Sequence, residues 1–311
     1  MIYTLTLNPG LDRELSVASI EFDTVLRASG GRVDWGGKGI NVSRMLKSLG
    51  LDSTVLGTAG GKLGEMLRDG VEALGIKTDF VWVNGETRTN ISIVAQQPYH
   101  YVKVNEPGPS ISAAQVGQLI DKIAHLARPG DWWVLSGSLL PGMPADIYAL
   151  IIQKINQAGA KAILDAEGEP LRLGCEAGPF LVKPNHVEAA KLTGQSVETV
   201  EEAVAAARCI LALGPEEVVI SMGEMGAVLV DQGGAWVVQP PKIEMRNPIG
   251  AGDSLVGGLV WSLEQSPDVF KALEWGVACG AGTASLSGTA VGSRELVEQL
   301  LSRVTVSPIK G

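Results

Sequence analysis

The sequence has few of the residues that characterise disulfide-linked, membrane or nucleic-acid-binding proteins. Its three cysteines, Cys175, Cys209 and Cys279, are odd in number and far apart, which favours reduced thiols in a cytoplasmic protein. No apolar run approaches the ~18 residues that cross a bilayer. No basic leader or signal-like apolar block follows Met1, so we expect an unexported protein with no membrane contact. The net charge of −9, with no strongly basic stretch, disfavours a nucleic-acid partner.

The residues that are abundant predict a folded α/β protein. Of the 311 residues, 45% are hydrophobic, which excludes a disordered chain; the 39 glycines follow no three-residue repeat, so the chain is not collagen-like. From residue 112 onward, apolar strands alternate with helix-period segments: helix 113–127 precedes strand 131–135, and helix 145–158 precedes strand 161–164. This alternation predicts a central, mostly parallel sheet with helices on both faces.

Two β-rich segments, at about 12–36 and 80–105, do not fit that alternation. No linker or low-complexity segment separates them from the rest of the chain. We therefore expect one domain over residues 1–311, with these insertions forming a small β-sheet lobe.

The strongest chemical motif is Gly250-Ala251-Gly252-Asp253-Ser254, which follows the breaker pair Asn247-Pro248 and opens an apolar helix. The free amides and the dipole of a first helical turn attract anions, and the glycines admit a close approach. An aspartate beside such an anion hole is useful if it takes a proton from an attacking hydroxyl. The alternative is that Asp253 only caps the helix.

Three further motifs have both a chemical and a structural interpretation. The run Trp35-Gly36-Gly37-Lys38-Gly39-Ile40-Asn41 matches neither a P-loop nor a dinucleotide fingerprint, and Lys38 there is either functional or solvated. Asn185 and Glu188 are spaced to organise Mg²⁺ through water or to form a capping box. Ser221, Gly223 and Gly226 either admit a phosphate or form a turn. Arg88, Asn90 and Lys103, on the second insertion, carry no signal by themselves.

Taken in order, the motifs resemble the ribokinase-like carbohydrate kinases of the PfkB family. The resemblance runs from Thr4-Leu5-Thr6-Leu7-Asn8-Pro9-Gly10-Leu11-Asp12 to the C-terminal helices. It is carried by Gly36 to Asn41, Thr87-Arg88-Thr89-Asn90, Asn105-Glu106-Pro107-Gly108-Pro109, Ser136-Gly137-Ser138-Leu139, Lys183-Pro184-Asn185 and Gly250 to Ser254. The similarity is greatest to the sugar-phosphate branch: 1-phosphofructokinases, tagatose-6-phosphate kinases and minor bacterial 6-phosphofructokinases. Leu140 stands where many members have a second proline.

The resemblance implies a role for each site residue. Asp253 would be the catalytic base, and Gly250, Ala251 and Gly252 would form the anion hole. Asp12, Gly37 and Asn41 would hold sugar hydroxyls, while Lys38, Arg88, Asn90 and Lys103 would face the phosphate already on the sugar. Lys183, Asn185, Ser221, Gly223 and Gly226 would bind ATP, Asn185 and Glu188 would organise Mg²⁺, and the small sheet would be a lid.

The function implied is an ATP-dependent kinase that converts a ketohexose monophosphate to its 1,6-bisphosphate. Fructose 1-phosphate is the first choice. Two cues conflict on the substrate: Asn105 to Gly108 is similar to 1-phosphofructokinases, whereas Asn247-Pro248 is similar to tagatose-6-phosphate kinases. The alternatives are tagatose 6-phosphate or fructose 6-phosphate, an unphosphorylated sugar or nucleoside, and a non-catalytic sugar-phosphate sensor. A sensor would not need Asp253. An exposed edge of the lid sheet suggests a homodimer.

Overall fold

The computed structural model describes residues 1–96 and 99–309. Its strands are, in chain order, β1 (Ile2–Thr6), β2 (Gly10–Val17), β3 (Gly30–Gly36), β4 (Thr54–Ala59), β5 (Lys77–Trp82), β6 (Arg88–Gln96), β7 (Tyr99–Asn105), β8 (Trp132–Ser136), β9 (Lys161–Asp165), β10 (Leu181–Val182), β11 (Glu217–Ser221), β12 (Ala227–Asp231), β13 (Gly234–Gln239) and β14 (Thr305–Pro308).

Helices occupy most of the connections. They are α1 (Lys38–Ser48), α2 (Gly61–Ala73), α3 (Ala113–Leu126), α4 (Ile147–Gln157), α5 (Gly168–Glu176), α6 (His186–Thr193), α7 (Val200–Leu211), α8 (Ala251–Gln265), α9 (Val269–Ala284) and α10 (Arg294–Leu301). None of the helices in the described ranges is long and apolar enough to cross a membrane.

The large sheet confirms the predicted fold class. Its strand order is β14-β13-β12-β11-β10-β9-β8-β1-β4-β5. Neighbouring strands from β5 through β11 pair in parallel, whereas β12, β13 and β14 extend the sheet antiparallel. The predicted β12–β13 hairpin is confirmed, but its two-residue turn is Gln232-Gly233, one residue earlier than expected, because Gly234 already pairs with Asp231. The parallel arrangement brings the carboxyl ends of β1, β8, β9, β10 and β11 to one edge, where an open α/β sheet binds its ligands.

Both faces of this sheet are covered, so its central strands β1 and β8 are buried throughout and mostly apolar. All five residues of β8 are buried. Trp133 packs toward α3, α4 and α7 with Leu119 and Ile151. On the opposite face, Trp132 packs toward α1, α8 and α9. Because successive strand residues point to opposite faces, a run such as Trp-Trp-Val-Leu is required to fill both layers.

The small sheet has the order β3-β2-β6-β7 and is built from the two predicted insertions. It is anchored by Leu11 and Trp35, which join a core cluster with α1 and α2. A side chain at Gly70 of α2 would place a carbon 2.0 Å from Trp35 Cε2, so the glycine makes room for the indole. The segment from Phe80, which we predicted to be in the lobe, instead forms β5 at the edge of the large sheet.

The register of the small sheet separates a polar face from an apolar one. Asp12 pairs with Asn90 and Asp34, and Glu14 pairs with Ser92 and Arg32. Since side chains alternate along each strand, these residues share one face. Leu15, Ile93 and Val102 share the other.

Candidate active site

A cavity of about 790 Å³ opens at the carboxyl edge of the large sheet. It brings together predicted residues that are far apart in the sequence: Lys38, Lys183, Asn185, Glu188, Ser221, Gly223, Gly226, Ala251, Gly252 and Asp253. The volume suits a cofactor-sized ligand. Because these residues come from four separate segments, the topology assembles the cavity rather than any one motif.

The first turn of α8 lines the cavity with Ala251, Gly252 and Asp253. Gly250 is the N-cap residue, with φ +81°, and makes no side-chain cap bond. Asp253 is therefore not the helix cap, and the capping interpretation of this residue is wrong. A side chain at Gly252 would place a carbon 3.7 Å from Lys183 Nζ. The first-turn amides, which lack intrahelical partners, thus face the same space as a lysine ammonium.

Asp253 is held by Asn41 of α1. Asn41 Nδ2 donates to Asp253 Oδ2 at 2.8 Å, which brings the Gly-Lys-Gly run and the anion-hole motif into direct contact. Asp253 is buried. Burial, reinforced by the charge of Asp165, raises the pKa of Asp253 to about 6, against the opposing effects of Asn41, Lys38 and Lys183. A carboxylate with a pKa in this range is suited to accepting a proton near neutral pH.

Lys38 and Lys183 share one carboxylate that the sequence analysis did not identify. Asp165, at the carboxyl end of β9, lies 3.0 Å from Lys38 Nζ and 3.5 Å from Lys183 Nζ. Asp165 and Lys183 are almost fully buried. Burial opposes the charge of Asp165, but the two lysines outweigh it and keep the pKa of Asp165 below its usual value. The solvated interpretation of Lys38 is wrong, and its ammonium faces the cavity.

Asn185 and Glu188 form the capping box of α6. Asn185 Oδ1 accepts from the Glu188 backbone N–H at 2.9 Å, and Glu188 Oε2 accepts from the Asn185 N–H at 2.8 Å. The capping interpretation is therefore confirmed. It does not occupy all of the carboxylate, because Glu188 Oε1 faces Lys38 Nζ at 4.0 Å. One oxygen thus caps the helix while the other lines the cavity.

The loop after β11 closes one side of the cavity, and its glycines are needed for different reasons. Gly223 begins a short 3₁₀ turn, Gly223–Met225, with φ +59°, so the turn interpretation of Ser221 to Gly226 is also correct. Gly226 has φ +90°, and a side-chain carbon there would lie 2.0 Å from Val238 O. This glycine is therefore required by packing against β13, whatever else it binds.

The polar face of the small sheet carries most of the predicted sugar-side residues. Asn90 Nδ2 donates to Asp12 Oδ1 at 2.8 Å. A side chain at Gly36 would place a carbon 2.5 Å from Asp12 Oδ2, so the carboxylate lies directly over the glycine run. Gly37, with φ +147°, is the N-cap of α1. Residues 36–41 therefore connect Asp12 to the partner of Asp253.

Arg88 and Lys103 have different surroundings. Arg88 lines a second cavity with Glu106 to Ser112 and donates from Nη1 to Glu106 O at 3.2 Å. Its Nε is buried without a partner in the described part of the chain. Burial lowers the pKa of Arg88, opposed by Asp12. Lys103 is exposed on the edge strand β7. Lys38 lies in neither place, so it is not grouped with these two cations as we predicted.

Sequence reasoning missed Asp165 and the apolar wall of the cavity. The wall is formed by Pro240, Pro241, Ile243, Met245, Leu255, Val277, Ala281 and Ala284. Asp165 was detectable, because a carboxylate directly after the buried strand Ala162-Ile163-Leu164 lies at the ligand-binding edge. The wall was not, since its residues have ordinary loop and helix composition. Within the described residues, no group of three or more His, Cys, Asp or Glu side chains is placed to hold a metal ion.

Comparison with known proteins places these features in one family. Residues 10–296 match the model of the pfkB family carbohydrate kinases. The chain is 35% identical over 307 residues to a 1-phosphofructokinase from Bacillus subtilis (strain 168), covering 99% of each protein.

Solved structures show the same fold. The structure of phosphofructokinase-2 from Escherichia coli in complex with potassium superposes with a TM-score of 0.92 and 29% identity, covering 97% of this chain and 98% of that one. A tetrameric inhibited form of that enzyme gives a TM-score of 0.90. Arabidopsis thaliana ribokinase, at 19% identity and a TM-score of 0.78, shares the fold.

The base-like carboxylate at the start of α8, the lysines beside it and the small sheet with its polar face thus occur in a chain whose sequence matches this family over almost its whole length. The chain belongs to the pfkB family carbohydrate kinases, phosphotransferases that use ATP and an alcohol group as acceptor.

Proposed function

We propose that this kinase phosphorylates fructose 1-phosphate to fructose 1,6-bisphosphate. The observation that carries the proposal is Asp253, a buried carboxylate with its pKa raised to about 6, held by Asn41 where the large cavity meets the small sheet. The Bacillus subtilis relative supports this choice of substrate, because it is a 1-phosphofructokinase and is aligned over 99% of both chains. Fructose 6-phosphate and tagatose 6-phosphate are the runners-up.

The proposed division of the site gives ATP the large cavity. The apolar wall, which includes Ile243, Val277 and Ala281, suits the adenine ring. The phosphates would lie toward the glycines of the Ser221–Gly226 loop and the first turn of α8. Lys183 and Lys38 would face the phosphoryl group in transfer, where positive charge stabilises the oxygens of the transition state. This placement revises our initial prediction for Lys38, because its ammonium is bound to Asp165 inside the cavity.

The sugar phosphate would bind between Asp253 and the polar face of the small sheet. Asp12 and Asn90 would hold hydroxyls, with Gly37 and Asn41 beside them. Arg88 would bind the phosphate already present, with Lys103 at the rim. A hydroxyl aligned in this way would transfer its proton to Asp253 Oδ1, because Oδ2 accepts from Asn41. The buried Nε of Arg88 has no partner among the described residues, which suits a guanidinium that completes its hydrogen bonds with a phosphate.

Magnesium fits the residues present only as a partly hydrated ion. Asn185 and Glu188 supply oxygen atoms, the ligands that Mg²⁺ prefers, yet each already uses one oxygen in the capping box. The remaining Oε1 of Glu188 would accept from metal-bound water. The ion would neutralise charge on the ATP phosphates, while Glu188 and Asn185 fix its place beside α6.

We also propose that two copies of the chain pair through the small sheet. Its apolar face continues beyond the body of the protein, where Val33, Val102 and Val104 are 43%, 39% and 57% exposed. Side chains of this kind, clustered on one sheet face and bordering an edge strand, characterise an interaction surface. The tetrameric form of the Escherichia coli relative supports self-association within the family.

A coupled assay of ADP release tests the proposed substrate. It compares fructose 1-phosphate, fructose 6-phosphate, tagatose 6-phosphate and the free sugars, with Asp253→Asn as the inactive control. We expect the highest kcat/KM with fructose 1-phosphate. A higher value with either 6-phosphate would establish a runner-up. Calorimetric binding of a sugar phosphate without ADP release from the wild-type enzyme would favour the sensor.

A further inference from the structure

Arg44 is a half-buried arginine of α1 to which the proposed reaction assigns no role. It lies one helical turn after Asn41, and both of its terminal nitrogens have partners. Nη1 donates to Asn41 Oδ1 at 3.4 Å, and Nη2 donates to Thr289 O at 2.8 Å. Burial lowers the pKa of Arg44, opposed by Asp34 of the small sheet. Because a guanidinium remains protonated in proteins, Arg44 acts only as a donor.

This chemistry determines which way the Asn41 amide faces. An asparagine side chain has a donor end and an acceptor end, and a guanidinium can bond only to the acceptor. With Oδ1 directed at Arg44, Nδ2 is directed at Asp253, as observed at 2.8 Å. A reversed amide would set N–H groups against the guanidinium and a carbonyl oxygen against the carboxylate, and both contacts would be repulsive.

We infer that Arg44 is a positioning residue for the phosphoryl transfer: by donating to Asn41 Oδ1 it orients the amide whose nitrogen holds Asp253, and its bond to Thr289 O fixes its own place. The inference rests on the proposed role of Asp253 as the base. Arg44 acts through Asn41 and does not itself contact the reacting atoms.

The hydrogen bond from Arg44 Nη2 to Thr289 O ties the guanidinium to a supported segment of backbone. Thr289 lies in the segment between α9 and α10, and the neighbouring Gly288 O accepts from Asn247 Nδ2 at 2.6 Å. Asn247 Oδ1 accepts in turn from the Ile249 N–H at 3.0 Å, just before α8 begins. One segment therefore supports both Arg44 and the loop that leads into the anion hole. The orientation of the Asn41 amide and the position of the start of α8 therefore depend on the same segment.

The charges around Asp253 come from several elements. Asp165 is the last residue of β9, Lys183 follows β10, and Lys38 lies on α1; all three influence its carboxylate. Removal of Arg44 leaves these charges in place and changes the hydrogen bond from Asn41. Since that bond favours the ionised carboxylate, its loss raises the pH at which Asp253 becomes active. A purely structural arginine would change stability without this shift.

The test is the pH profile of kcat for Arg44→Met, with Arg128→Met as the matched control. Arg128 also donates to backbone carbonyls, those of His125 and Ala127, but at the end of α3. We expect Arg44→Met to lower kcat at neutral pH by about 10-fold and to move the acid limb to higher pH, with little change in either KM. The control should keep the wild-type profile. A wild-type profile for folded Arg44→Met would overturn the inference.

A double-mutant cycle separates action through Asn41 from independent action. In an Asn41→Ala background, Arg44→Met should change kcat by less than about 2-fold, because the residue through which it acts is gone. Full additivity would contradict the inference. If Arg44→Met does not fold, Arg44→Lys serves instead, since one ammonium cannot reproduce the two-pronged geometry. A wild-type profile for folded Arg44→Lys would then also contradict it.

The same set of enzymes distinguishes failure of this inference from failure of the proposed function. If Asp253→Asn keeps wild-type turnover, the role of the base fails, and that of Arg44 fails with it. If Asp253→Asn is inactive while the Arg44 variants match wild type, only the role of Arg44 is wrong.

Discussion

Lys38 Nζ lies 3.0 Å from Asp165 Oδ1, a contact between residues 127 positions apart in the chain. Burial alone would lower the pKa of Lys38, but the charges of Asp165, Glu188 and Asp253 raise it instead. The ammonium is therefore held charged at the cavity. The lysine of the glycine-rich run is thus fixed by a carboxylate of the large sheet, whereas the resemblance implied that it faces the sugar phosphate together with Arg88, Asn90 and Lys103.

The shared carboxylate makes Asp165 important for both stability and catalysis. Asp165→Asn removes the partner of Lys38 and of the buried Lys183. Breaking a buried ion pair by removing one partner costs about 3–5 kcal/mol, so thermal unfolding should occur at a clearly lower temperature. The charge of Asp165 also raises the pKa of Asp253. In the folded fraction, the acid limb of kcat should therefore move to lower pH, and a limb that stays in place would contradict this coupling.

Asp253→Asn should abolish turnover while keeping the binding of ATP and sugar phosphate. The substitution removes the proton acceptor, and loss of a general base typically costs ~10²–10⁴-fold in rate. In the wild-type enzyme, kcat/KM should fall as the pH drops through about 6, because the carboxylate, with its raised pKa, is protonated below that pH. Steady-state kinetics and calorimetry decide this. A variant that retains more than about a tenth of wild-type kcat would refute the assignment.

The sequence predicted the parallel sheet and the starts of α3 and α6 because these follow from short-range patterns, whereas α5 was missed. The alternation of buried strands and amphipathic helices extends over most of the chain, and Asn185-x-x-Glu188 predicts its capping box directly. Sequence patterns did not predict that Lys38 pairs with Asp165 or that Arg44 contacts Thr289 O, because these contacts form between segments that are distant in the chain. The strand β14 was also missed, since Thr305–Pro308 ends in proline and forms only the sheet edge.

Glu188→Gln and Glu188→Ala should separate the capping role of Glu188 from its proposed magnesium role. A glutamine oxygen can still accept from the Asn185 N–H, so Glu188→Gln should unfold near the wild-type temperature and yet require more Mg²⁺ for half-maximal activity. Glu188→Ala also loses the bond from the Asn185 N–H, whereas the Asn185 side chain still caps the backbone N–H of residue 188; a capping contact of this kind contributes ~0.3–1.5 kcal/mol. The measurements are Mg²⁺ titrations of activity and thermal melts. An unchanged titration for Glu188→Gln would leave Glu188 with the capping role alone.

Val104→Glu should disrupt self-association if copies pair through the apolar face of the small sheet. Val104 is 57% exposed, so a charge there is tolerated in the free chain but is costly when buried in an interface without a partner. Light scattering coupled to size-exclusion chromatography should show a smaller species than wild type. Val187→Glu, at another exposed valine on α6, is the control and should match wild type. Equal masses for all three proteins would refute this interface.

Arg88→Ala should weaken the binding of the sugar phosphate far more than that of ATP. Arg88 lies on the polar face of the small sheet. Its buried Nε has no partner within residues 1–96 and 99–309, and its Nη1 donates to a backbone oxygen. Charge-assisted hydrogen bonds contribute roughly 1.5–3 kcal/mol each, so KM for the sugar phosphate should rise about 10-fold or more. KM for ATP should barely change, because ATP is assigned to the cavity at the edge of the large sheet. Any activity on the unphosphorylated sugar should be unaffected.

The control for this substitution is Arg172→Ala, which removes the same charge from α5, where Arg172 pairs with Glu169 and Glu176 of its own helix. It should leave both KM values at wild-type levels. If Arg88→Ala raised KM for ATP and left that for the sugar phosphate unchanged, Arg88 would belong to the nucleotide side. Arg88 is the first residue of β6 and follows the segment 83–87, which joins the large sheet to the small one. That result would therefore mean that the nucleotide subsite extends as far as the start of β6.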